Sequence, residues 1–124
     1  MAQTPLLILV AGPYRSGTND QPERIQANVA HMTRTALQIY EKGHLPVLGE
    51  WFALPLIEEA GSKEIGDEVF NRLFHPVAIR LLSRVDGVLR IGGPSSGADE
   101  MVRIAREYGK RIFHSLDEIG QKAD

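Results

Sequence analysis

The chain of 124 residues contains no cysteine, few aromatic side chains and almost no excess of charge. Without cysteine, a disulfide framework, a thiolate zinc site and a cysteine nucleophile are all excluded. A formal net charge of only −2 argues against a partner bound through charge, such as nucleic acid, and favours a small molecule. No internal repeat is visible, and 43% hydrophobic content fits one globular domain over residues 1–124.

The sequence also has no apolar run long enough to cross a bilayer. The amino terminus, MAQTPLLILVAGPYR, carries only a short apolar run and no basic segment before it. We therefore expect neither a signal peptide nor a membrane anchor. These observations predict a cytoplasmic protein without a membrane partner.

Four apolar runs predict strands that alternate with helices. Residues 6–10 form a continuous run, which is typical of a strand covered on both faces in a parallel sheet. Shorter runs follow at 45–48, 88–91 and 111–113. Right-handed crossovers between such strands predict a doubly wound parallel α/β sheet of four or five strands, with ligands at the carboxyl ends of the strands.

Helical periodicity fills most of the intervening sequence. The first helix is expected to begin after Asn19 or Asp20, either of which can cap it, and to bury a stripe that ends at Tyr40. A second helix is predicted over about 67–83 with a bend at Pro76. Its His75 is interpreted as structural, with the alternative that the bend lets it reach a site. A third helix is predicted from the SSGADEM segment to Tyr108, before Gly109, and a fourth over residues 116–121.

No helix is predicted between the second strand and residue 67. Residues 58–67 are polar and contain glycine, which indicates a loop. The segment before them, WFALPLI, is an apolar cluster larger than a surface loop needs. It favours a homodimer or a larger homo-oligomer.

The loops after the first and third strands are candidates for an anion site. The glycine spacing of AGPYRSGT imitates a P-loop, but Thr18 stands where the lysine is required, so that motif is excluded. Arg15 in this loop suits pairing with a phosphate or carboxylate. In the second loop, IGGPSSG, unpaired N–H groups at a helix amino terminus favour an anion, although Ser95 or Ser96 can simply cap the helix.

Taken together, AGPYRSG, GEW, the DGVLRIGG strand with SSGADEM, and GKRI resemble the nucleoside 2-deoxyribosyltransferase superfamily. The resemblance covers nearly the whole chain and extends to the 2-deoxynucleoside 5-monophosphate N-glycosidases. It implies a flavodoxin-like fold, a homodimer or larger assembly, and no metal or redox cofactor. It also implies cleavage of the N-glycosidic bond of a nucleoside or nucleoside 5-monophosphate, or deoxyribosyl transfer, through a glutamate that attacks the anomeric carbon.

The resemblance further implies which residues contact the substrate. The pocket for the sugar or phosphate would be lined by Gly12, Tyr14, Arg15 and Gly17. The 5-phosphate or a sugar hydroxyl would be held by Ser95, Ser96 and Gly97.

One departure from the family pattern concerns the nucleophile, because Met101 occupies the position where that pattern has glutamate. The candidate catalytic carboxyls are therefore Glu100 and, second, Asp99, with Asp86 or Glu50 assisting. Glycoside cleavage uses one carboxyl to stabilise or capture the sugar carbon and another to protonate the leaving group. The alternative is a nucleotide-binding or nucleotide-sensing protein that kept the pocket and lost the nucleophile.

Overall fold

The computed structural model describes residues 4–120. The elements in chain order are β1 (Leu7–Ala11), α1 (Pro22–Glu41), β2 (Leu45–Val47), α2 (Gly49–Glu59), α3 (Glu68–Leu82), β3 (Gly87–Arg90), α4 (Ser96–Glu107), β4 (Arg111–Phe113) and a short 3₁₀ turn, Leu116–Glu118. The predicted strands are therefore present, each within a residue of its expected bounds.

The four strands form one parallel sheet in the order β2-β1-β3-β4. The predicted doubly wound parallel sheet is confirmed, and the arrangement is that of a single flavodoxin-like domain. Strand β1 lies between β2 and β3, so the chain leaves it towards one edge of the sheet and later returns on the other side. The loops after β1 and β3 diverge at this switch point, where open α/β sheets bind ligands.

Alternate residues of β1 face two different helical layers, because successive side chains of a strand point to opposite faces. Ile8 and Val10 belong to a buried cluster with α1, whereas Leu9 and Ala11 belong to one with α3 and α4. A third cluster joins Ala53 and Ile57 of α2 to α3 through Phe70. The continuous apolar run of β1 thus reflects burial on both faces.

The expectation that no helix lies between β2 and residue 67 is wrong, because α2 covers Gly49–Glu59. Its sequence, GEWFALPLIEE, is apolar on most of its circumference and contains Pro55, so it shows no single apolar stripe. The inward face packs on α3, and the outward side chains Trp51, Phe52 and Leu56 are each about half exposed. The predicted loop is reduced to the residues that follow this helix.

Three expectations at helix ends are also wrong. Gln21 is the N-cap of α1 and makes no side-chain capping bond, while Asn19 and Asp20 both have positive φ in the preceding loop. Tyr40 does not end the buried stripe, since it is 63% exposed. The helix predicted over residues 116–121 is a 3₁₀ turn that ends at Glu118, and the last residue of that range lies outside the described part.

No helix within residues 4–120 is long and apolar enough to cross a membrane.

The packing of α1 gives a matched test of this core. Ile39 is fully buried against the sheet, whereas Leu37, on the same helix, is 57% exposed. We expect Ile39→Ala to lower the free energy of unfolding by about 2–5 kcal/mol, because it leaves a cavity. Leu37→Ala should change it by no more than about 0.5 kcal/mol. Urea denaturation followed by circular dichroism measures both, and equal losses would contradict this assignment of the core.

Candidate functional site

A cavity of about 550 Å³ opens where β1, β2 and β3 end. Cavities of roughly 300–1,000 Å³ hold small organic ligands. Its walls are the loop after β1, the first turn of α2, one face of α3 and the first turn of α4. All the substrate-binding residues expected from the sequence line it, and so does one of the candidate carboxyls: Gly12, Tyr14, Arg15, Gly17, Glu50, Ser95, Ser96 and Gly97.

The two glycine loops touch each other at the edge of this cavity. The hydroxyl of Ser16 donates to Oγ of Ser95 over 3.1 Å. Gly12 allows the close approach, because a Cβ at this position would lie 3.1 Å from the carbonyl oxygen of Ile91. A ligand between the loops therefore meets polar groups from both.

The amino terminus of α4 supplies free donors to the cavity. Ser95 caps the helix by accepting a hydrogen bond from Ala98 N–H at 3.2 Å, and Asp99 N–H donates to the carbonyl of Ser95 at 3.0 Å. The N–H groups of Ser96 and Gly97 have no acceptor among residues 4–120. Such groups at a helix amino terminus favour an anion.

Arg15 is held in place at the side of the cavity. Its Nε and Nη2 donate to the two carboxylate oxygens of Asp20 at 2.8 and 2.9 Å, and these hydrogen bonds lower the pKa of Asp20. The guanidinium lies 5.5 Å from the ring centroid of Phe70 and against Gly66, where a Cβ would come within 2.7 Å of Nη2. Nη1 makes no hydrogen bond within residues 4–120, so it is available to an anion.

Three aromatic rings form one wall of the cavity. Tyr14 packs against Phe74 with ring centroids 5.0 Å apart, and Phe74 stacks on Phe70 at 4.9 Å. Burial raises the pKa of Tyr14, and the nearby charge of Glu50 acts in the same direction, so its hydroxyl stays protonated. This wall can stack against a planar ring and also offers one hydroxyl for hydrogen bonding.

Glu50 is the one candidate carboxyl that lines the cavity. It lies in the first turn of α2, is only 7% exposed, and its Oε1 has no hydrogen-bond partner within residues 4–120. Burial raises the pKa of Glu50, although a hydrogen bond with its own backbone acts in the opposite direction. An unpaired buried carboxyl oxygen costs folding free energy, which makes Glu50 a candidate for a residue that contacts a ligand.

The other three candidate carboxyls do not line the cavity. Asp86 precedes β3, and its Oδ2 accepts from Leu7 N–H at 2.8 Å, at the opposite end of the sheet. Asp99 is largely exposed and pairs with Arg90 at 3.0 Å.

Glu100 is likewise paired away from the cavity. Its Oε2 accepts a hydrogen bond from Arg103 Nε at 3.1 Å, and this pairing is the main reason that its pKa is lowered. Met101 lines the cavity instead and is 7% exposed. Each helical step turns the side-chain direction by about 100°, which explains how neighbours on α4 face such different surroundings.

Helix α3 contributes to the cavity, which was not predicted from the sequence apart from the alternative that His75 reaches a site. Phe70, Asn71, Phe74 and His75 all line it. The spacing of four between the two phenylalanines was a usable signal, because such residues share one helix face. His75, which we interpreted as structural, also carries a buried Nδ1 with no partner in the described part of the chain.

Within residues 4–120, no group of three or more histidine or acidic side chains is arranged to hold a metal ion.

The chain matches no protein-family model, and no curated protein is significantly similar to it.

The burial of Glu50 predicts a particular dependence of stability on pH. Because its pKa in the folded protein is raised above 4.5, the folded state keeps the proton to higher pH than the unfolded state does. The contribution of Glu50 to stability is therefore full at low pH and falls as the pH rises through its folded-state pKa. Relative to Glu50→Gln, which stays neutral, the parent protein should lose stability with increasing pH.

Urea denaturation of both proteins at about pH 4 and about pH 8 measures this difference. Glu58→Gln, an exposed position on the same helix, gives the baseline for removal of one carboxyl from α2. A constant difference between the parent and Glu50→Gln over this range would show that Glu50 is not desolvated.

Proposed function

We propose that the cavity binds a nucleoside 5-monophosphate or a related nucleoside, and that the protein cleaves its N-glycosidic bond or transfers its deoxyribosyl group. The observation that carries the proposal is Glu50, a buried carboxyl with an unpaired oxygen in a cavity that also has anion donors and an aromatic wall. The resemblance of the loops to the deoxyribosyltransferase superfamily supports the choice of substrate.

Three groups of cavity residues match the phosphate, the base and the sugar of such a ligand. The phosphate accepts hydrogen bonds from the N–H groups of Ser96 and Gly97 and pairs with Arg15. The base stacks against Tyr14 and its neighbouring phenylalanine. The sugar then lies between these sites and Glu50.

In this proposal Glu50 acts first as a general acid and then as a general base. Its raised pKa favours the protonated carboxyl, which gives its proton to the leaving base as the bond from the anomeric carbon to nitrogen breaks. The carboxylate then takes a proton from the nucleophile that attacks the same carbon, either the O–H proton of water or the N–H proton of a second base. Water yields hydrolysis, and a second base or another nucleophile yields transfer.

A second candidate function is binding without turnover, as in a nucleotide sensor. Met101 favours it, because an apolar side chain faces the cavity where the family pattern has its nucleophile. The pairing of Asp99 and Glu100 with arginines favours it as well, since neither carboxylate is free to replace that nucleophile. Both functions require the same pocket, so only a measurement of products separates them.

A panel of deoxynucleosides, ribonucleosides and their 5-monophosphates tests the proposal, with free base measured by chromatography. Glu50→Gln should reduce base release by at least about 100-fold, because the amide cannot transfer the proton. Asp99→Ala and Glu100→Ala should retain most of the activity, since both side chains pair with arginines outside the cavity. Glu58→Gln is the matched control on the same helix.

The possible results separate the enzyme from the sensor and Glu50 from the other carboxyls. Base release that depends on Glu100 or Asp99 but survives Glu50→Gln would contradict the catalytic role proposed for Glu50. Binding measured by calorimetry without release from any compound would replace the enzyme with the sensor. Neither binding nor release across the whole panel would refute the nucleotide pocket itself.

We also propose that the protein assembles as a homodimer or larger homo-oligomer through the outer face of α2. Trp51, Phe52 and Leu56 are 45%, 52% and 52% exposed on this helix. Large apolar side chains grouped on one surface mark an interaction site more often than the same residues scattered singly. A two-fold axis, the commonest symmetry of soluble assemblies, would pair this face with the same face of a second copy.

Leu56→Lys should therefore shift the protein from a dimer or larger species to the monomer. The reason is that a charge introduced into an apolar interface loses its water on assembly. Light scattering coupled to size exclusion measures the mass. Leu37→Lys, which alters a leucine of similar exposure on α1, is the control and should leave the mass unchanged. A parent protein that is monomeric at micromolar concentration would contradict the assembly.

A further inference from the structure

We propose that His75 contacts the phosphate of the ligand and makes the site select a nucleoside 5-monophosphate over the nucleoside. This inference rests on the proposed nucleotide pocket and adds a residue that determines its specificity. Four observations carry it: the location of His75 in the cavity wall, its contact with the first turn of α4, the free donors of that turn, and an unpaired imidazole nitrogen.

His75 lies on α3, but its ring reaches the amino terminus of α4. A Cβ placed on Gly97 would lie 3.1 Å from Cε1 and 3.3 Å from Nε2 of the imidazole. The ring therefore packs directly against the backbone of the second residue of α4. The absence of a side chain at Gly97 is what permits this contact.

The same turn of α4 is where the proposed phosphate accepts its backbone hydrogen bonds. The N–H groups of Ser96 and Gly97 have no acceptor among residues 4–120, and both residues line the cavity with His75. An anion seated on these groups is within the immediate surroundings of the imidazole ring. Arg15 lines the same cavity from the loop after β1 and adds a cationic donor.

The imidazole has an unused hydrogen-bonding atom for this contact. Nε2 of His75, which lies on the side of the ring next to Gly97, makes no hydrogen bond within residues 4–120, whereas Nδ1 is buried on the other side of the ring. In the tautomer that carries the proton on Nε2, this atom can donate to a phosphate oxygen without a charged ring.

Glu50 shows that this cavity is built for a polar ligand rather than a purely apolar one. It is nine-tenths buried, lines the same cavity and also has an unpaired oxygen. Two unpaired polar side chains on separate helices are costly unless a ligand satisfies both. We assign Glu50 to the sugar and base, and His75 to the phosphate.

Calorimetric titration with paired ligands tests the assignment. The parent protein and its variants are titrated with deoxynucleosides, the matching 5-monophosphates and inorganic phosphate. His75→Leu should weaken binding of the monophosphates by about 10- to 100-fold, which is the effect of losing one hydrogen bond to a charged group. Binding of the nucleosides should change by no more than about twofold.

Two further variants show whether the hydrogen bond of His75 or only the shape of its side chain affects binding. His75→Gln places a donor close to the position of Nε2 and should retain most of the preference for the monophosphate, whereas His75→Asn places its amide nearer to the buried Nδ1 and should not. His31→Leu makes the same substitution at an exposed histidine of α1 and is the control. Circular dichroism of each variant confirms that it is folded.

The outcomes separate this inference from the function on which it rests. If the parent binds monophosphates and His75→Leu weakens nucleosides and monophosphates equally, His75 has no specific role at the phosphate and the nucleotide pocket stands. The same conclusion follows if His75→Leu changes neither. If the parent binds none of these ligands, the pocket assignment and this inference fail together.

Discussion

The position of β1 between β2 and β3 is the constraint on which the rest of the structure depends. A strand buried on both faces must be apolar along its length, and residues Leu7–Ala11 meet that requirement. Because helices α1 and α4 cover opposite faces of the sheet, a crevice opens beyond the carboxyl ends of β1 and β3, and the two loops meet at its edge through Ser16 and Ser95. Polar residues of both loops line this crevice together with the end of β1. The cavity is thus a consequence of strand order.

The electrostatic character of the cavity follows from burial as much as from charge. Arg15 is paired with Asp20, yet its Nη1 makes no hydrogen bond within residues 4–120, and the start of α4 adds backbone donors without adding any formal charge. Burial raises the pKa of Glu50, a carboxyl that lines the same cavity. The cavity therefore combines donors for an anion with a carboxyl that is shielded from water.

The sheet could be predicted from the sequence, but only part of the cavity lining could. Strand runs and loop glycines are local patterns, so the strand bounds and the two cavity loops were predictable. Helix α2 was not, because its apolar residues surround it and it packs on another helix rather than on the sheet. For the same reason Phe70, Phe74 and His75 could not be placed at the cavity, since their location depends on how α3 lies between α2 and α4. The i, i+3 spacing of Glu100 and Arg103 suggests an ion pair, but Arg103 also has Glu107 at i, i+4. Spacing alone therefore did not show that Glu100 is paired.

The place of the carboxyl is the remaining structural question, and the geometry gives an argument about it. Met101 packs in the apolar inner face of α4, so this helix is docked on the sheet through apolar side chains. The neighbouring acids are turned towards arginines and stabilise the exposed face of the helix instead. The buried carboxyl that faces the cavity comes from another element, namely Glu50 in the first turn of α2. A ligand that donates a hydrogen bond to Oε1 of Glu50 would offset part of the cost of burying this carboxyl, whether or not a reaction follows.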